Sequence, residues 1–147
     1  MSRHRILVAD DDAVSAGELV RLLALQGHDV RSVQSGRQAV RVSIAFRPEL
    51  VILDLREPDC DGLDAARSLL RRARTSGRRI LLVALTSFAP DSLHDDAHGA
   101  GFDLVVPKGV DGAYLCDLVR GLIDTRALDA RPGDPLEQAL LQGTRLH

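Results

Sequence analysis

Residues 50–54 read Leu-Val-Ile-Leu-Asp, four aliphatic side chains in succession closed by a carboxylate. Strict alternation would mark a strand with one wet face, whereas a continuous apolar run this short marks a strand covered on both faces, as in a parallel sheet. Outward from this stretch, comparable runs occur at Ile6–Ala9 (ILVA) and Ile80–Leu85 (ILLVAL). Asp29–Val33 (DVRSV) places polar residues between its valines and suits a sheet edge, and Asp103–Val106 (DLVV) makes a fifth run. Five strands are expected.

Amphipathic segments fill the intervals. Val14–Gln26 carries Leu19, Val20, Leu22 and Leu23 at helical spacing and stops before Gly27, a natural C-cap. Arg37–Phe46, Leu63–Arg74, a shorter piece over Ser92–His98, and Ala113–Ile123 behind Asp111 as N-cap complete the set. The order (βα)5 with short connections predicts right-handed crossovers and an α/β fold, a doubly wound parallel five-stranded sheet with helices on both faces.

Composition narrows the function classes. At 147 residues with 45% hydrophobic and 27% charged side chains, the chain has a core's worth of apolar residues and is neither disordered nor low-complexity. No apolar run approaches the roughly 20 residues that cross a bilayer, and the start MSRHR-ILVA is too brief for a signal-peptide core, so a cytoplasmic protein without membrane partners is expected. A net charge of −2 gives no drive toward nucleic acid. Cys60 and Cys116 match no metal spacing and read as reduced thiols. The pattern breaks from Ala127, where Arg131-Pro132-Gly133-Asp134-Pro135 reads as a linker before a short amphipathic turn at Leu136–Gln142. The expected organisation is a domain over 1–125 and a C-terminal tail over 126–147, with no output domain. Arg71, Arg72, Arg74, Arg78 and Arg79 close one helix and precede a strand, where they read as a solvated face that suits the negative end of the helix dipole.

The polar residues at the carboxyl ends of the strands carry the chemistry. Asp10-Asp11-Asp12 follows the first strand, Asp54 ends the third, Thr86-Ser87 follows the fourth and Lys108 the fifth. Ligands of open α/β sheets bind outside those ends, so these groups can converge. Clustered carboxylates repel and raise their own pKa values unless a cation neutralises them, and an all-oxygen set without His or Cys selects a hard cation such as Mg2+. Lys108 is the single lysine against 18 arginines, which marks it as a position where a compact ammonium is required. A metal, an ammonium and hydroxyls aimed at one point would cradle phosphoryl oxygens around a nucleophilic carboxylate, Asp54. Taken alone, the acidic run also fits a helix N-terminus, with Asp12 as cap.

With these pieces in order, ILVADDD (6–12), VILDLREPDCDG (51–62), ALTS (84–87) and GFDLVVPKGVD (101–111), the sequence resembles the receiver domains of two-component response regulators over about residues 4–125. The resemblance implies a flavodoxin-like strand order 2-1-3-4-5. It also implies Asp54 as phosphoacceptor and Asp10 and Asp11 as the acidic pair that holds Mg2+ together with Asp54 and the backbone carbonyl of Arg56. Thr86 and Lys108 would contact the phosphoryl group, Asp12 stands where the family usually has Glu, and Pro58 and Asp61-Gly62 match the loop after the acceptor. The implied partners are a sensor histidine kinase or a histidine phosphotransfer protein, and a downstream protein target, with room for a phosphorylation-dependent dimer. Two departures bear on output: Gly109 replaces the proline that usually follows the lysine, so no cis bond is expected there, and Val105 replaces the usual Tyr or Phe.

Two other functions are weighed against the phosphoaccepting receiver. A pseudo-receiver that binds a partner without phosphorylation usually lacks one of the key residues, and all are present here. A Mg2+-dependent phosphatase with an aspartyl nucleophile needs a second Asp two residues after the first, where this chain has Arg56.

Overall fold

The computed structural model describes the backbone at residues 3–55, 61–86 and 91–129, and the side chains of 3–55, 62–86 and 95–126. Strands β1 (Arg5–Ala9), β2 (Asp29–Val33), β3 (Leu50–Leu55), β4 (Leu81–Thr86) and β5 (Leu104–Pro107) alternate with helices α1 (Ala13–Leu25), α2 (Gly36–Phe46), α3 (Asp61–Thr75), α4 (Asp91–Ala100) and α5 (Gly112–Asp129). All strand pairs are parallel and the order is β2-β1-β3-β4-β5. The expected fold and strand order are therefore observed, and the expected elements recur with bounds moved by a residue or two. The exception is α5, which runs on to Asp129. The tail expected from 126 thus begins inside α5, and its remainder from 130 lies outside the described residues.

The chain divides into two compact units, Met1–Gly112 and Ala113–His147. The second contains most of α5, on which Leu115, Cys116, Val119 and Ile123 are buried. In the first, β3 is buried on both faces, as the LVILD run requires, and β2 is the half-exposed edge. The period of two along the strands sends Leu7, Val51, Leu53 and Leu82 into one cluster with Ala39 and Phe46 of α2, Ala66 and Leu69 of α3 and Ala97 of α4. Small residues dominate the helical side of this cluster, which lets the helices sit close on the sheet. Helix α1 packs on β1 and β2.

Caps fix where the helices begin. Asp12 accepts hydrogen bonds from the Val14 and Ser15 amides at 3.0 and 3.4 Å and opens α1. Helix α1 ends one residue before the expected position, with Gln26 as C-cap and Gly27 following at φ 97°. Ser35 opens α2 by accepting from the Gln38 amide at 3.2 Å, while the Gln38 side chain reaches back to the Gln34 amide at 2.7 Å. This exchange resembles a capping box and satisfies two amides at once.

Ser35→Ala removes the acceptor for the Gln38 amide and is expected to destabilise the fold by about 1 kcal/mol. Urea denaturation should show a lower midpoint with an unchanged slope, and an unchanged midpoint would mean that water replaces the cap.

Candidate functional site

Parallel strands end together at one edge of the sheet, so residues remote in sequence meet there. Asp10 follows β1, Asp54 is the penultimate residue of β3, and Lys108 follows β5. The Lys108 ammonium donates to Asp54 Oδ2 at 2.9 Å and to Asp10 Oδ1 at 3.2 Å. Both carboxylates are almost fully enclosed, with side chains 5% and 4% exposed, while Asp11 is exposed. One carboxylate oxygen from each of Asp10, Asp11 and Asp54 lies within 4.8 Å of the others, a spacing that can hold a metal ion. The donor set is all oxygen and suits a hard cation such as Mg2+.

The sequence expected these four residues to converge, and the structure brings them into one cluster. Thr86 ends β4, is 3% exposed, and pairs in register with Leu55 on one side and Pro107 on the other. Its carbonyl accepts the Lys108 amide at 2.7 Å, a contact the sequence did not disclose, and this ties the base of the lysine to the end of β4. Asp12 turns toward its own helix: besides the two amides it accepts from the Ser15 hydroxyl at 3.1 Å, and these bonds hold its carboxyl below the usual carboxylate range. The Asp12 amide donates to Asp10 Oδ1 at 2.9 Å, so Asp10 receives both a backbone donor and the ammonium. Arg56, Pro58, Cys60 and Ser87 lie outside the described residues, and of Asp61 only the backbone is described, at the start of α3.

Burial raises the pKa of Asp54, the neighbouring Asp10 carboxylate raises it further, and Lys108 offsets only part of this. For Lys108, burial acts to lower the pKa, but the bonds and charges of Asp54 and Asp10 outweigh it and lift the ammonium above the usual lysine value. Two enclosed carboxylates thus share one ammonium, and a net negative charge remains at a poorly hydrated spot. Such a site favours a cation.

Two glycines shape the surroundings. A Cβ on Gly62 would run into the end of the Leu55 side chain, which would have to move to admit it, so the first turn of α3 lies close to the end of β3. Gly109 has φ 98°, a backbone that proline, locked near −65°, cannot adopt. The departure after Lys108 is therefore built into the turn. Val105 is partly buried against the core cluster.

The response regulator receiver domain family matches residues 6–120. Response regulator MprA of Mycolicibacterium vanbaalenii is 34% identical over 132 residues, covering 88% of this chain and 54% of its own length. Transcriptional regulatory protein PdtaR of Mycobacterium tuberculosis is 34% identical over 99 residues, which are 67% of this chain and 46% of its own. The crystal structure of a CheY-like response regulator receiver domain protein from Methanospirillum hungatei superimposes with a TM-score of 0.76 at 19% identity, over 86% of this chain and 98% of that one. The chain belongs to the receiver domain family of two-component response regulators. It spans about half the length of the curated relatives it matches.

Two stability predictions come from this geometry. An acid whose folded pKa lies above its unfolded value binds its proton more tightly in the fold, so Asp54 withdraws stability as pH rises through the window above the ordinary carboxylate value. In chelator-treated protein at neutral pH, Asp54→Asn should raise the melting temperature by about 2 to 4 °C, with a smaller difference near pH 4. A lower melting temperature at neutral pH would mean that the Lys108 bond outweighs burial. Gly109→Pro, which restores the residue usual in the family, should destabilise the protein by more than about 1 kcal/mol in denaturant titrations, because φ 98° is closed to proline.

Proposed function

We propose that this protein is a phosphoaccepting receiver: it takes a phosphoryl group from a phosphohistidine onto Asp54 and passes the signal on by protein–protein contact. The observation that carries this reading is the enclosed Asp54 carboxylate held 2.9 Å from the Lys108 ammonium, with oxygens of Asp10 and Asp11 within 4.8 Å. The donor is a sensor histidine kinase or a histidine phosphotransfer protein, and the receiver of the signal is a downstream protein target. Such a cycle belongs in the cytoplasm, and among the described residues no helix is long and apolar enough to cross a membrane.

In this mechanism an Asp54 carboxylate oxygen attacks phosphorus in line, the bond from phosphorus to the donor imidazole nitrogen breaks, and the imidazole leaves with the electron pair. Asp54 is already poorly hydrated, so little water has to be displaced before attack. Lys108, released from part of its bonding to Asp54 as the carboxylate becomes an acyl phosphate, turns its ammonium to a phosphoryl oxygen. Asp10 stays fixed by the Asp12 amide and keeps the lysine in reach. Asp10, Asp11 and Asp54, with the Arg56 carbonyl, would hold Mg2+, which when bound offsets charge on the phosphoryl oxygens. The Thr86 hydroxyl would then bond to the phosphoryl group, and a small movement of Thr86 is relayed to Lys108 through their backbone hydrogen bond. Two packings of the β4 and β5 ends exchange population in this way.

With a small phosphodonor such as acetyl phosphate and Mg2+, intact mass spectrometry should show a single phosphoryl adduct. The adduct should vanish in Asp54→Asn, fall at least tenfold without Mg2+ or in Asp11→Ala, and form in Lys108→Arg without the conformational response, since a guanidinium is too wide for the place between two carboxylates. Absence of any adduct on the wild-type protein would favour the pseudo-receiver reading, and an equal adduct in Asp54→Asn would move the acceptor elsewhere.

A further inference from the structure

At the opposite edge of the sheet, where β3 begins, a cavity of about 150 Å³ opens between α2, α3 and the segment leading into β4. Three arginines from three separate stretches line it: Arg47 after α2, Arg72 in the last turn of α3 and Arg78 before β4. Leu69 and Ile80 supply an apolar wall, and Ser76 a hydroxyl. The arginine-rich segment that reads as a solvated face in the sequence is thus divided by the fold, with Arg72 and Arg78 lining a recess.

Arg47 is the one non-glycine residue with a positive φ among the described residues, at φ 53° and ψ 61° as the C-cap of α2. Glycine or asparagine fills such a position without strain, so an arginine there is held against its backbone preference. Its backbone is gripped on both sides, with the Arg5 Nε donating to the Arg47 carbonyl at 2.8 Å and Arg78 Nη2 to the Pro48 carbonyl at 2.9 Å. Neither Arg47 nor Arg72 forms an ion pair with an acid among the described residues. Glu49, the acid near Arg78, is itself engaged by the Arg5 amide at 2.9 Å and by His4 at 3.3 Å. Burial first, and then the positive charges of Arg47 and Arg5, pull the Arg78 pKa below the usual arginine value. Like charges gathered around one recess repel, and an anion in the recess reverses that repulsion.

We propose that this recess binds a phosphate dianion, free or carried by a small phosphomonoester, with Arg47, Arg72 and Arg78 as guanidinium donors and Leu69 and Ile80 against the body that bears the phosphate. Planar guanidiniums match phosphate oxygens two at a time, which suits arginine better than lysine for this task. The volume is several times the 30 Å³ or so of a water molecule, enough for a phosphate and part of its carrier. A recess of this shape favours a compact anion over a nucleic-acid backbone, which needs an extended stripe. The site stands apart from the carboxylate cluster, since the four residue steps of β3 from Leu50 to Asp54 alone span about 13 Å. It does not depend on phosphorylation of Asp54.

The test is an amide and arginine side-chain NMR titration of the full chain at constant ionic strength, with inorganic phosphate in one arm, adenosine monophosphate in a second, and a short DNA duplex in a third. Saturable shifts at Arg47, Arg72 and Arg78 are expected with a phosphate probe, at least tenfold weaker in Arg72→Gln and in Arg47→Gly, and unchanged in Asp54→Asn. Tighter saturation by the nucleotide assigns a phosphomonoester, and equal saturation assigns free phosphate. Arg47→Gly should melt at or above the wild-type temperature, because glycine accepts φ 53° freely, so its loss of binding cannot be a loss of folding. Wild-type binding in folded Arg47→Gly, absence of saturation with both phosphate probes, or shifts with the duplex alone would overturn the proposal.

Discussion

One ammonium held between two enclosed carboxylates organises the functional edge of this molecule. Lys108 reaches Asp10 and Asp54 across 98 and 54 positions of sequence, and that contact exists only because β1, β3 and β5 run parallel and end together. Isolated, each charge would pay heavily for leaving water, and together they still leave one negative charge uncompensated. The arrangement is therefore stable enough to preform and poor enough in cations to accept another. Functional sites often retain such an imbalance at the expense of fold stability.

The surroundings hold that imbalance in place. Asp10 is pinned by the Asp12 amide, and Asp12 is in turn committed to the first turn of α1. Lys108 is pinned through its own amide to the Thr86 carbonyl. The end of β4 and the base of the lysine are thus joined directly through the backbone. This bears on the two departures from the family's usual residues. Val105 sits partly buried where an aromatic ring is common, and Gly109 gives the turn after Lys108 a conformation closed to proline. The backbone bond to Thr86 and the Gly109 turn flank Lys108 on either side.

The two edges of the sheet differ in sign. Carboxylates gather at the carboxyl ends of the strands, and guanidiniums at the opposite edge around Arg47, Arg72 and Arg78. A net charge of −2 for the chain conceals this separation, because sums over a sequence discard position.

Much of this was legible in the sequence. Strand and helix identities follow from patterns a few residues long: LVILD must be buried on both faces, DVRSV must lie at an edge, and neither depends on the rest of the chain. Asp10, Asp11, Asp54, Thr86 and Lys108 were visible as polar residues closing apolar runs, since a strand's end is itself a local feature. Where helices stop was less legible, and α5 runs past the expected end because no strong stop signal precedes Arg131. Tertiary structure alone decided what depends on which strands are neighbours and in what register: the bond from Lys108 to Thr86, the contact of Gly62 with Leu55, the φ of Gly109, and the meeting of Arg47 with Arg72 and Arg78. Register is set by packing summed over the whole sheet, and no short window of sequence contains that sum.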